Sequence, residues 1–100
     1  MAHIDIYFET MLENKASDLH LSTGNSAIIR INGELERLST PPLEHEELLA
    51  MLREICPEDK MSHFEKTGDV DFGYELPGKA RFRANFFNQK DGVAAVFRTI

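Results

Sequence analysis

Cysteine is almost missing from this 100-residue chain. Cys56 stands alone, so no internal disulfide can form, and a reduced, intracellular setting is the default. No hydrophobic run approaches the roughly 20 residues of a membrane-spanning helix. The opening stretch MAHIDIYFETM lacks the charged start and unbroken apolar core of a secretory leader. A cytoplasmic location, with no insertion into a membrane, is therefore expected. Positive charge is scarce as well. Eleven Lys/Arg against seventeen Asp/Glu leave a formal net charge of −6, which argues against general nucleic-acid binding. The chain also lacks G-x-x-x-x-G-K-[ST], so nothing in it builds a Walker A phosphate cradle. It has no C-x-x-C, and His3, His20, His45 and His63 are too scattered for metal-ligand spacing, so no metal site is expected. Cys56 has no base near it in sequence and is expected to be a small buried residue rather than a nucleophile.

What is present suits one small domain spanning residues 1–100. Apolar residues make up 42%, including seven Phe and two Tyr, enough for a single packed core. Charge is distributed unevenly. Residues 1–76 carry six Lys/Arg against sixteen Asp/Glu, whereas residues 77–100 carry five against one. An acidic body with a basic C-terminal stretch is a pattern that asks for a reason.

Residues 3–14 read as an amphipathic helix, with Ile4, Phe8, Met11 and Leu12 at helical spacing. DLHL alternates as a half-buried strand, with Leu19 and Leu21 facing one way, Asp18 and His20 the other. SAIIRINGELERL predicts a hairpin turning at Asn32–Gly33, a pair that favours the positive φ angles of a type I′ turn. Ile29, Ile31 and Leu35 are expected on its inner face. Pro41 and Pro42 break the pattern. A second helix over 44–55 buries Leu48, Leu49, Leu52 and Ile55, its EHEE start favoured by the helix dipole. Pro57 opens a third, short helix that closes near Gly68. Strands are predicted at 69–75, 79–87 and 93–99. The order αβββααβββ with short connections gives an α+β domain: an antiparallel sheet of about five to six strands with helices packed on one face.

KARFRANFFNQKDG carries the basic excess. Odd positions Lys79, Arg81, Arg83 and Asn85 share one strand face, and Phe82, Ala84 and Phe86 share the other. A turn at Asp91–Gly92 would pair Phe86 with Phe97 and set Arg83 diagonal to Arg98 on the outer side. Guanidinium forks suit phosphate oxygens, because they donate two aligned hydrogen bonds and stay charged. The same arginines would equally serve as ion-pair partners of the acidic body, for instance Asp69 or Asp71 on the adjacent strand.

Three motifs, ASDLHL, IRINGELERL and RFRANFFNQKDGVAAVFR, together resemble the N-terminal domain of the type IV pilus retraction (twitching motility) ATPases of the secretion-ATPase superfamily. The resemblance runs through nearly the whole chain, in order. It implies a PAS-like domain that precedes a RecA-like ATPase domain in a cytoplasmic homohexamer, whose ATP hydrolysis drives pilus disassembly. It further implies partners: the protein's own RecA-like domain, neighbouring subunits, and the inner-membrane platform of the pilus, with no nucleic acid. By motif, Arg83 and Arg98, with Arg81 as a third, match arginines that reach the γ-phosphate of ATP. The Walker motifs, the Asp box and the His box of that family belong to a domain this sequence lacks. The expectation is thus an excised N-terminal domain, catalytically inert and binding no cofactor alone, with ATP and Mg acting in a longer parent. A PAS-like small-molecule sensor and a protein-docking adaptor are the alternative functions. Arg83 and Arg98 are expected to be exposed and free of internal ion pairs.

Overall fold

The computed structural model describes residues 3–100. Its elements follow the expected order: α1 (Asp5–Glu13), β1 (Asp18–Ser22), β2 (Ile28–Ile31), β3 (Glu34–Arg37), α2 (His45–Ile55), α3 (Glu58–Thr67), β4 (Asp69–Leu76), β5 (Ala80–Gln89) and β6 (Gly92–Thr99). The six strands form one sheet in the order β3-β2-β1-β6-β5-β4, with every ladder antiparallel. All three helices pack on a single face, so the α+β, PAS-like architecture is the one the sequence predicts.

Local chemistry accounts for the ends of the elements. At α2 the Glu44 side chain accepts from the backbone of the first turn while Glu47 reaches back to the Glu44 N–H, a reciprocal capping box. At α3, Gly68 takes the left-handed conformation (φ 81°) and its N–H donates to the Phe64 carbonyl, a helix stop that favours glycine. Asn32 (φ 51°) and Gly33 (φ 82°) form the left-handed pair of the β2–β3 turn.

The core lies between the helices and the inner sheet face. Phe8 of α1 stacks on Phe82 at 4.5 Å between ring centroids and meets Phe97 edge-on at 4.9 Å. Phe86 takes Phe72, Phe64 and Phe97 edge-on at 5.1, 6.0 and 6.3 Å. Ile4, Met11, Leu19, Leu21, Ile29, Leu48, Leu52 and Val93 are fully buried beside them. Cys56 is half-buried rather than buried, and burial, helped by the charge of Asp59, pushes its thiol pKa up, so the sulfur stays protonated and unreactive.

Two register expectations are corrected. The β5–β6 turn consists of Lys90 and Asp91, with Gln89 opposite Gly92, so Phe86 faces Ala95, Asn85 faces Val96, and Arg83 lies directly across from Arg98 rather than diagonal to it. Neither Lys90 nor Asp91 has a positive φ, and Gly92 takes it instead (φ 143°). Gly92 is also a point of close approach: a Cβ there would lie 2.7 Å from both His45 Nδ1 and Thr23 Oγ1. The second correction is Leu35. In a two-residue turn Ile31 pairs with Glu34, and this puts Leu35 opposite Arg30 on the outer face, where it is 56% exposed.

Candidate functional site

The face of the sheet away from the helices carries no covering element among the described residues. The ladders set one row of residues across it: Leu35, Arg30, Asp18, Arg98, Arg83 and Gly73. The next row is Arg37, Ile28, His20, Val96, Asn85 and Asp71. Alternation fixes this arrangement, since Leu19, Phe97, Phe82 and Phe72 point into the core from the same strands. A shallow cavity of about 390 Å³ opens where the rows meet, lined by Asp71, Arg83, Asn85, Val96 and Arg98.

Both arginines are exposed, as expected. Arg83 makes no ion pair or side-chain hydrogen bond with the described residues, and Gly73 opposite it has no side chain to compete for the space. Arg98 departs from expectation. Its Nε donates to Asp18 Oδ2 at 3.1 Å in an ion pair, although the Arg98 side chain remains 71% exposed. The reason is strand order: β1 lies beside β6 and sets Asp18 directly opposite Arg98. Sequence reasoning put Asp18 on the outer side of its strand but had no local signal for which strand would adjoin it. Neither carboxylate named in advance pairs with an arginine. Asp69 Oδ1 accepts instead from Asn85 Nδ2 at 3.0 Å. Arg81 is exposed and stands opposite Glu75, one step along the outer face.

Asp18 is the hub of the row. It is 8% exposed, accepts from Ser17 Oγ at 2.7 Å through Oδ1, and has Arg30 Nε at 4.0 Å from that same oxygen. Desolvation pushes its carboxyl pKa up, but the hydrogen bonds from Ser17 and Arg98 together with the Arg98 charge outweigh it and hold the group below the usual carboxylate range. His20, one row over, is held low by desolvation, with the charges of Arg30 and Arg98 adding to it against Asp18, so it stays neutral near pH 7. Its Nε2 is buried without a hydrogen-bond partner among the described residues.

The face thus presents two guanidinium groups side by side, one unpaired and one engaged through Nε alone. Such an arrangement can grip a phosphate. No group of three His, Cys, Asp or Glu side chains among the described residues could hold a metal ion.

No protein-family model matches the chain. It is 48% identical over 85 residues to the type IV pilus retraction ATPase PilT of Pseudomonas aeruginosa, covering 85% of this chain and 25% of that protein. It is 36% identical over 92 residues to a twitching motility protein of Neisseria gonorrhoeae, covering 86% of this chain and 25% of the relative. In three dimensions it matches the crystal structure of the pilus retraction motor PilT with bound ADP, with a TM-score of 0.87 and 33% identity over 100% of this chain and 29% of that one. The chain therefore spans about a quarter of the length of the curated relatives it matches.

Proposed function

This chain belongs to the type IV pilus retraction ATPase family, where it matches the N-terminal domain, and we propose that it serves as the nucleotide-facing domain of a longer, hexameric motor. In this reading Arg83 and Arg98, with Arg81 beside them, contact the γ-phosphate of ATP held with Mg on a RecA-like domain. The domain also contacts neighbouring subunits of a cytoplasmic homohexamer that acts on the pilus platform at the inner membrane. One observation carries the reading. Two arginines stand directly opposite each other on an uncovered sheet face, in a chain that is otherwise acidic, with their terminal nitrogens unclaimed by carboxylates.

Charge at these positions would act as an arginine finger does, stabilising the negative charge that builds on the transferring phosphoryl group. The chain itself supplies no Walker A backbone to cradle phosphates, so it is expected to show no ATP turnover alone. The sensor reading finds less support, because phenylalanine rings fill the inner face where a ligand would sit.

The test uses the longer protein and this chain in parallel. Arg83→Ala and Arg98→Ala should each lower ATP turnover of the longer protein by about 10-fold or more. Arg83→Ala should leave the melting of the 100-residue chain nearly unchanged, since an exposed side chain without an ion pair among the described residues contributes little, whereas Arg98→Ala should cost about 1–3 kcal/mol because it strips the nearly buried Asp18 carboxylate of its partner. Gly73→Val offers an independent probe: its Cβ would meet nothing closer than the Phe82 carbonyl oxygen at 4.0 Å, so the fold tolerates it while the side chain crowds Arg83. Intact turnover in both arginine variants would refute the proposal and point to docking on an acidic partner.

A further inference from the structure

We propose that Asp18 is a positioning residue for the phosphate grip: it holds the Arg98 guanidinium by Nε so that the two terminal nitrogens face a ligand beside Arg83. The inference rests on the phosphate-contact reading above and adds a residue to it.

The argument begins with an electrostatic conflict. Arg83 and Arg98 are direct cross-strand neighbours on one face, and like charges so placed repel. Left alone, two long exposed side chains would diverge, and each would lose rotamer freedom on being brought together by a ligand. Arg98 is not left alone. Asp18 binds it through Oδ2 while Ser17 Oγ and Arg30 occupy the side of Oδ1. The carboxylate is nearly buried and tied on both flanks, so it is a fixed anchor rather than a mobile counter-ion. Only Nε is engaged. An arginine held this way keeps its outward fork free and gives up the freedom to swing aside.

This contact is not the sole link between the two strands. Five backbone residue pairs already join β1 to β6, from Asp18↔Arg98 to Ser22↔Ala94. A negative charge next to an anion site opposes the anion by simple Coulomb repulsion. This gives the two accounts of Asp18 opposite signs. If Asp18 matters only as a charge, removing it tightens anion binding. If it positions Arg98, removing it weakens binding.

The experiment titrates the 100-residue chain with inorganic triphosphate and follows the Nε–H signals of Arg83 and Arg98 by nitrogen-15 NMR. In the unmodified chain both signals should move together with one Kd. Asp18→Ala should raise that Kd about 10-fold, the size expected when a hydrogen bond to a charged group is lost. Asp18→Glu, which restores the carboxylate, should recover part of the loss. Should the alanine variant fail to fold, Asp18→Asn carries the same test, since it keeps the shape and drops the charge that secures Arg98. Equal or tighter binding in these variants overturns the inference while leaving the phosphate reading in place. If triphosphate moves neither arginine signal in the unmodified chain, the two arginines form no grip of their own and the positioning role falls, while the phosphate reading is judged separately by turnover of the longer protein.

Discussion

Truncating Phe86 should be the most damaging single change in the core. Its ring is fully buried and meets three other phenylalanines edge-on, Phe72 at 5.1 Å, Phe64 at 6.0 Å and Phe97 at 6.3 Å. Phe→Ala changes in cores cost about 3–5 kcal/mol, and the value depends on how far the hole can refill. Here refilling is poor. Ala84 lies two residues before Phe86 on the same face, Ala95 faces it across one ladder and Val70 across the other, so its immediate strand neighbours are small. The cost should therefore lie near the upper end, at about 4–5 kcal/mol. A domain of this size loses ~4–8 °C of melting temperature per kcal/mol, so Phe86→Ala should melt ~16–40 °C lower, or be unfolded at 37 °C. Thermal unfolding followed by circular dichroism reads this directly. A fall of less than ~8 °C would refute the reasoning, since it would mean that Phe86 does not join the helical layer to the sheet. Phe86→Leu, which keeps most of the volume, should recover well over half of the loss.

Two further outcomes are expected. Gly92→Ala should cost about 1–3 kcal/mol in urea unfolding, because the residue has φ 143° and its new methyl would lie 2.7 Å from His45 Nδ1 and Thr23 Oγ1; an unchanged midpoint would show that the hairpin tip can shift freely. The second concerns acid. His20 is held neutral in the folded chain, chiefly by desolvation, so the unfolded chain takes up its proton first as pH falls below about 6.5. Stability contributed by neutral His20 is present above that pH and is lost as pH falls toward the lowered folded value. The urea midpoint should thus decline between pH 7.5 and pH 5.5, and His20→Leu should flatten that decline; an identical slope in the variant would assign the effect to another group.

Much of the fold was legible because its signals are local. Alternation of Phe82, Ala84 and Phe86 with Arg81, Arg83 and Asn85 is a property of the strand alone, and it sorted core from surface correctly. Asn32–Gly33, Pro57 and Gly68 each act within a few residues, and each stands where it was expected. The errors arose where one local signal had two uses. Gly92 looked like a turn residue, but its conformational freedom serves the first position of β6 and its contact with His45 and Thr23, which slid the hairpin register by two residues without changing which side chains face out. Asp18 was missed as the partner of Arg98 because the pairing spans 80 residues and depends on β1 lying beside β6, which no short segment encodes.

The hairpin that carries the arginines is fastened at both ends. Near its tip, the Val93 N–H donates to His45 Nδ1 at 3.1 Å, and Thr23 Oγ1 donates to the Val93 carbonyl at 2.8 Å. At the far end Asp18 grips Arg98, and β6 is flanked by hydrogen-bonded strands along its whole course. A strand secured in this manner behaves as a plank, with no hinge of its own. Arg83 and Arg98 rise from adjacent strands of that plank, so their backbones cannot separate or retreat one without the other. On the proposed reading, advancing them toward a phosphate, or withdrawing them, would mean moving the domain of 35 × 29 × 24 Å with them. On the phosphate-contact proposal, two guanidinium groups at the surface would become a gauge of where the entire domain sits, and a shift of a few ångströms in its placement would connect or disconnect both at once.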